Sequence, residues 1–474
     1  MPPNVLLIVL DSVRARNTSL YGYDRETTPC LETFAEDATL YTQARAPGTG
    51  SVQSHVSLFT GLHVAEHGMN STERAVDPEA TVWDRLAGRG YDTGVFSYNS
   101  YLTQAPIGLC DAFDRVVAGE QRLPYPEALN PYNFSNEAGV REFLAAAWRD
   151  GTLGTSLVNG LAVKAASAGW LPGDTSVDGR LFTDRFIDWH EGRSGPWAAC
   201  VNYMDAHTPY LPRPEHDLWT DTDARTIATL VEDYVWDFVG GTKPLETLAD
   251  LEDCYDGAIR QADAEIGRLL EHLRRAGDLK DTLVVVTADH GEGFGEPGEV
   301  RDAPSIGHGC TGGAEEGVLR IPLVVWFPDQ REPERITEPA TLTRFPVVVE
   351  NVVEGDWSHR GFAPDGPVLA SLRSMPKHVR ESSPKGVNIS EYEGSARVIY
   401  ERDGDRVLKY VDTEDQSGRL DCTDVRSTEY LDAHVGNRFA DIFDPLDLAE
   451  DSIGDQNGDV SADTEARLKA LGYR

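Results

Sequence analysis

The run at 5–10 (VLLIVL) is unbroken aliphatic sequence that stops at Asp11. With no polar residue alternating along it, such a run reads as a strand buried on both faces, the pattern of a parallel sheet covered by helices on each side. Similar runs recur. Residues 197–204 (WAACVNYM) end at Asp205, 283–287 (LVVVT) end just before Asp289, and 322–327 (PLVVWF) end at Pro328. The first three place an acidic residue at or just beyond the carboxyl end of a strand, where open parallel sheets hold their ligands.

Helical sequence separates these runs. Residues 258–276 carry Ile259, Ala262, Ile266, Leu269, Leu270 and Leu273 at helical spacing, and Gly277 follows as a C-cap directly before the next strand. Strands and helices joined this tightly predict an α/β fold with a doubly wound, parallel sheet. At 474 residues the chain exceeds one ordinary core, so a large α/β unit with a smaller one beside it is expected. The change of character near residue 340, with short β-like runs at 397–400 and 407–411, divides the chain into a catalytic unit at 1–340 and a smaller α+β subdomain at 341–474. Within the first unit, 114–195 and 213–250 are less periodic and rich in Pro, Gly, Trp and Tyr, and read as insertions near the mouth of a site.

Charge narrows the function classes. The formal net charge is −36, spread along the chain, with 40% hydrophobic residues that keep it in the globular range. This halophile-like composition predicts a salt-tolerant surface and argues against nucleic acid as a partner, since phosphate backbones call for clustered Lys and Arg. Six scattered cysteines show no C-x-x-C spacing, and reduced thiols are expected. The N-terminal sequence MPPNVLLIVLDS has neither a charged n-region nor an apolar run long enough to span a bilayer, so no integral membrane segment and a cytoplasmic location are expected.

Asp289 and His290, side by side at a strand end, are both ligand types for a divalent cation, and Asp11 ends another strand of the same proposed sheet. Ser51, in the Gly-flanked stretch GTGSVQSHVSLFTG, begins a short apolar helix. Beside a cation its hydroxyl becomes a nucleophile, and the helix start favours an anion. Ser51 or Ser54 is equally suited to cap that helix. His207 (NYMDAHTPY) and His308 (SIGHGC) could donate to the oxygens of a bound tetrahedral anion, which completes a phosphate- or sulfate-ester site.

Taken in order, NVLLIVLDSVRA, TTPCLETFAEDATLYTQARAPGTGSVQSHVSLFTGLHVAEHG, FTDRFIDWH with WAACVNYMDAHTPYLP, YDGAIRQADAEIGRLLEHLRRAGDLKDTLVVVTADHGE, and HG with EEGVLRIPLVVWFP resemble the sulfatase family of the alkaline phosphatase superfamily. The tail, ADIFDPLDLAEDSIGD and ARLKALGY, is similar to the way such chains finish. The resemblance implies an alkaline-phosphatase-like fold, a mixed, mostly parallel sheet flanked by helices with a smaller C-terminal α+β subdomain. It implies Asp11, Ser51, Asp289 and His290 as ligands of one divalent ion, calcium in a sulfatase and manganese, magnesium or zinc in a phosphoesterase. It also implies anion binding by His207 and His308.

The departures from the family pattern bear on the chemistry. Where the family has C/S-x-P/A-x-R, this chain has Ser51-Val52-Gln53-Ser54-His55, so His55 stands in the place of the arginine, and Ser12 replaces the second acidic residue after the first strand. This argues against oxidation of Ser51 to formylglycine. A seryl sulfate lacks the exit that an aldehyde hydrate provides, whereas a seryl phosphate can be hydrolysed or passed on. The first reading is therefore a metal-dependent hydrolase of sulfate or phosphate esters of small molecules or glycans, with Ser51, His55, His207 and His308 as its catalytic side chains. Two others stay open: a degenerate, non-catalytic binder, motivated by Ser12, Gln53 and His55, and a transferase moving a phospho-alcohol group onto a glycan.

Overall fold

The computed structural model describes residues 2–447 apart from 73, 120–123, 126–127, 130–138, 168–177, 232 and 434. The family-like tail beyond residue 447 and part of the stretch at 114–195 therefore lie outside the described residues.

Six strands of the main sheet precede the loops that build its carboxyl edge: β1 (Asn4–Leu10), β2 (Thr39–Tyr41), β3 (Asp92–Ser97), β4 (Arg115–Ala118), β5 (Trp197–Tyr203) and β6 (Thr282–Thr287). A short hairpin, β7 (Gly293–Glu296) and β8 (Ser305–Gly307), separates them from β9 (Leu323–Trp326) and β10 (Glu334–Ile336). The eight strands of the sheet run in the order β10-β2-β9-β6-β1-β5-β3-β4. The aliphatic runs make its centre, where β1 lies between β5 and β6 with Val9 opposite Asn202 and Thr287. The sheet is mixed and mostly parallel, as expected.

Its one reversed strand is β9, antiparallel to both β6 and β2. The chain between β6 and β9 turns back through the β7–β8 hairpin at the carboxyl edge, with no crossover helix to carry it to the opposite edge, so β9 enters the sheet from the far direction.

Helix α1 is Ser51–Thr60, α2 is Gly179–Glu191 and α3 is Thr247–Ala276. Helix α3 closes on Gly277 in the left-handed region (φ +82°), the cap read from the sequence. It starts earlier than its apolar pattern suggested, because Leu248, Leu251, Cys254 and Tyr255 continue the buried face through an acidic stretch. The segment at 114–195 contributes β4 to the sheet edge and α2 to a packing layer beside β5 and β3. Neither serine caps α1: its N-cap is Gly50, in extended conformation, and the Ser54 hydroxyl donates instead to the Gly48 carbonyl at 3.1 Å.

A second sheet of five antiparallel strands follows: β11 (Val368–Leu372), β12 (Ala396–Asp403), β13 (Arg406–Thr413), β14 (Ser417–Asp421) and β15 (Glu429–Asp432). Its first strand abuts the loop ahead of α1, the Ser371 amide donating to the Pro47 carbonyl at 2.9 Å. Behind this contact Arg45, Glu316, Lys409 and Tyr400 form a buried ionic seam between the two sheets.

Candidate active site

Strand geometry brings the acidic groups together. Adjacent parallel strands end at the same edge, so Asp11 after β1 and Asp289 after β6 emerge side by side, and the Asp11 amide donates to Tyr203 at the end of β5. Asp11, Asp289 and His290 are fully buried, and one ligand atom from each lies within 4.8 Å of the others. Ser51, the first residue of α1, reaches the same point, with its Oγ 3.2 Å from His290 Nε2.

The hydrogen bonds define how each side chain is presented. His290 Nδ1 donates to the Gly291 carbonyl at 2.9 Å, so in the neutral ring Nε2 carries the lone pair. That nitrogen lies 3.3 Å from Asp289 Oδ2, and two electron-rich atoms this close call for a cation or a shared proton between them. Asp289 Oδ1 accepts the amides of Ser12 (3.2 Å) and His290 (2.9 Å). Burial opposes ionisation of Asp289, but the neighbouring His290 and His55 rings and these hydrogen bonds hold its pKa below the ordinary value. Asp11 Oδ1 accepts the Ser12 hydroxyl at 3.1 Å, and its Oδ2 accepts Asn99 Nδ2 at 3.0 Å and Asn202 Nδ2 at 3.5 Å. Two carboxylates and one imidazole lone pair, each oriented by such second contacts, fit a divalent cation.

The other candidates stand around this centre. His308 packs on His290 with ring centroids 4.5 Å apart, and His207 lies 5.2 Å from His308. Burial pushes the His207 pKa down. Burial would do the same to His308, but the charge of Glu292 and its hydrogen bond outweigh it and raise the pKa. His55 lies one turn along α1 from Ser51, its Nδ1 donating to the Ser51 carbonyl at 2.9 Å and lying 3.5 Å from Asp289 Oδ2. It therefore faces the Ser51 backbone and a carboxylate. All seven side chains named from the sequence are thus gathered at the carboxyl edge.

Sequence reasoning missed four residues here. Ser12, noted only as a replacement, joins the two carboxylates; Asn99 and Asn202 hold Asp11; Glu292 holds His308. Asn202 had a usable signal, being a polar residue inside a buried aliphatic run. Asn99 had none, since it lies in a polar turn after β3.

The Sulfatase family model matches residues 3–348. Mouse steryl-sulfatase is 24% identical over 413 residues, covering 73% of this chain and 61% of that protein. Human arylsulfatase A is 24% identical, covering 70% and 60%. The chain thus spans about three fifths of the length of these sulfatases. The multifunctional alkaline phosphatase superfamily protein PehA of Trinickia caryophylli is also 24% identical, with 68% of each chain covered. Among solved structures, the phosphonate monoester hydrolase of Agrobacterium radiobacter superposes with a TM-score of 0.58 at 18% identity, covering 94% of this chain and 93% of that one. A 2-O GAG sulfatase gives 0.58 at 12% identity, covering 98% and 96%. These likenesses establish a shared fold.

Proposed function

The chain belongs to the sulfatase family, and on that premise we propose that it hydrolyses sulfuric or phosphoric esters with the help of one divalent cation, using Ser51 as nucleophile. The reading rests above all on one observation: the Ser51 hydroxyl stands 3.2 Å from His290 Nε2, at the point where Asp11, Asp289 and His290 converge. Residues 1–340 form the catalytic unit in this proposal, with 341–474 as the smaller subdomain.

Asp11, Asp289, His290 and the Ser51 oxygen would hold the cation, with calcium, manganese, magnesium and zinc all compatible with such a donor set. When bound, it would lower the pKa of a coordinated hydroxyl and offset charge on the ester. Ser51 Oγ attacks phosphorus or sulfur as the bond from that atom to the leaving oxygen breaks, and the proton that the serine hydroxyl gives up is matched by the one the leaving oxygen takes. His207 and His308 donate to the oxygens of the transferred group, where charge accumulates in the transition state. His55 steadies the first turn of α1 through the Ser51 carbonyl. Water then releases the group from Ser51.

The segment Ser51-Val52-Gln53-Ser54-His55 favours phosphorus over sulfur. Gln53 is built into the loop, its Oε1 accepting the Thr49 amide at 2.9 Å, and His55 replaces the family arginine. An unmodified serine returns to its resting state more readily from a phosphoryl than from a sulfuryl adduct. The mass of the peptide containing residue 51 decides this point: an intact serine supports phosphorus, and a peptide lighter by H2 supports formylglycine and sulfate.

No helix among the described residues is long and apolar enough to cross a membrane. None of the six cysteines forms a disulfide, which supports the cytoplasmic placement as part of the proposal.

The decisive experiment is turnover of a panel of aryl phosphates, phosphodiesters and aryl sulfates by the wild type and Ser51→Ala. Loss of turnover with an unchanged melting profile is expected. Undiminished activity in Ser51→Ala would overturn the assignment.

A further inference from the structure

Glu292 is fully buried and has no part in the chemistry described above. A carboxylate in such a place is costly unless it is paired on both oxygens. Its Oε1 lies 3.1 Å from His308 Nδ1, and its Oε2 accepts the Tyr210 hydroxyl at 3.0 Å. Tyr210 lies three residues beyond His207, on the segment that follows β5, while His308 directly follows β8. Glu292 itself directly precedes β7, so it and His308 form the two feet of the β7–β8 hairpin.

We propose that Glu292 is a positioning residue that sets the spacing and orientation of the two imidazoles, His207 and His308, for a tetrahedral oxyanion. Toward His308 the action is direct: a carboxylate can only accept, so Nδ1 carries a hydrogen and the opposite edge of the ring is presented to the site. Toward His207 it acts through Tyr210, which anchors the segment carrying that histidine. The His207 ring is turned the same way by its own bond, Nδ1 donating to the Thr208 carbonyl at 2.8 Å. Two further contacts keep the hairpin foot in register: the Tyr234 hydroxyl donates to the Gly293 carbonyl at 3.0 Å, and the Gly291 amide donates to the Val318 carbonyl at 2.7 Å. A ring pair 5.2 Å apart, with both rings fixed in tautomer, is suited to two oxygens of one phosphate or sulfate.

This inference rests on the ester-hydrolase reading, but its test has a readout that does not need turnover. The affinity of the full chain for inorganic phosphate, with the divalent cation present, is measured by calorimetry beside kcat/KM in a double-mutant cycle of Glu292→Ala and His308→Ala. Each single variant is expected to weaken phosphate binding about tenfold or more, and the double variant to lose beyond His308→Ala alone only what Tyr210→Phe loses, about twofold. Tyr210→Phe is expected to give a smaller loss that persists in the His308→Ala background, because it works on the other ring.

Multiplying losses for Glu292 and His308, or a Glu292→Ala protein with unaltered phosphate affinity, would overturn the proposal. So would a wild type that binds no phosphate. If Glu292→Ala fails to fold, Glu292→Leu, which fills the space but offers Nδ1 no acceptor, takes its place in the same cycle. A chain that turns over no ester and still shows the coupled phosphate affinities would defeat the hydrolase reading and leave this one standing.

Discussion

The Ser12 amide donates to Asp289 Oδ1 at 3.2 Å across 277 positions of sequence, while its hydroxyl donates to Asp11 Oδ1 at 3.1 Å. One small residue thus ties together the carboxylates of two neighbouring strands. It does so with φ at +63°, the left-handed region that Asp and Asn tolerate better than other side chains with a Cβ. Ser12→Asp should therefore keep the backbone and add a third carboxylate to the proposed cation site. Affinity for a divalent cation rises with ligand charge, so calcium or manganese binding is expected to tighten by about tenfold or more. In chelator the same variant should be less stable than wild type, because like charges are left facing one another. Calorimetric titration checks the first expectation and a melt in chelator the second. Unaltered cation affinity would show that residue 12 lies outside the coordination sphere.

The seam between the sheets centres on Lys409, fully buried on β13. Its Nζ donates to Glu299 Oε2 and to the Ala314 carbonyl, each at 2.6 Å, and lies 3.3 Å from Glu316. Arg45, also fully buried, pairs with Glu316 at 2.8 Å. Lys409→Met leaves Glu299 without its cation in a mostly buried place, which should cost about 3–5 kcal/mol. Adding Glu299→Gln removes the stranded charge and should recover part of that loss, with Glu316 still held by Arg45. Urea denaturation of the two variants provides the check. A Lys409→Met protein with the wild-type midpoint would mean that the seam contributes nothing net.

The parts of this site that were legible in the sequence are those whose place follows from local pattern. Asp11 and Asp289 end unbroken aliphatic runs, and two such runs in one parallel sheet must deliver their next residues to the same edge. Ser51 starts a helix after a Gly-rich turn, and His55 follows one turn later. The direction of β9 was hidden because an apolar run is equally apolar read backwards; only the path of the intervening chain settles it. The start of α3 was hidden by Asp250, Glu252 and Asp253, which obscure the buried face continuing beneath them. Asn99 acts through a contact to Asp11, 88 positions away, and Glu292 through contacts to Tyr210 and His308, 82 and 16 positions away, all set by tertiary placement that no local period encodes.

With 79 acidic residues against 43 Lys and Arg, the folded chain carries strong self-repulsion that its surface ion pairs cannot balance. Screening lengths fall from about 10 Å at 0.1 M salt to about 3 Å at 1 M. Added salt weakens pairs such as Arg275–Glu271 on the surface of α3, but exposed pairs contribute little, so relief of repulsion should dominate. The melting temperature is expected to rise from about 0.1 M to about 2 M KCl. A fall over that range would show that the ion pairs outweigh the net charge.

Asp205, next to the His207 segment, offers a test by pH. Burial pushes its carboxyl pKa up to about 7, against hydrogen bonds from Gln261 Nε2 at 2.5 Å and from the Gly179 amide at 3.1 Å, which favour the charged form. A carboxyl raised in the folded state binds its proton more tightly there than in the unfolded chain. Its contribution to stability is complete below the unfolded value near 3.8 and is lost as pH rises through about 7. Asp205→Asn cannot titrate and still offers an oxygen to both donors. Relative to the variant, wild type should lose up to about 4 kcal/mol between about pH 4 and about pH 8, at roughly 1.4 kcal/mol per pKa unit. Urea unfolding of both proteins across that window measures the difference, in which the titration of every other group largely cancels. A gap between the two that stays constant with pH would mean that Asp205 is ionised in the fold at its ordinary pKa, and that the donors from Gln261 and Gly179 outweigh its burial.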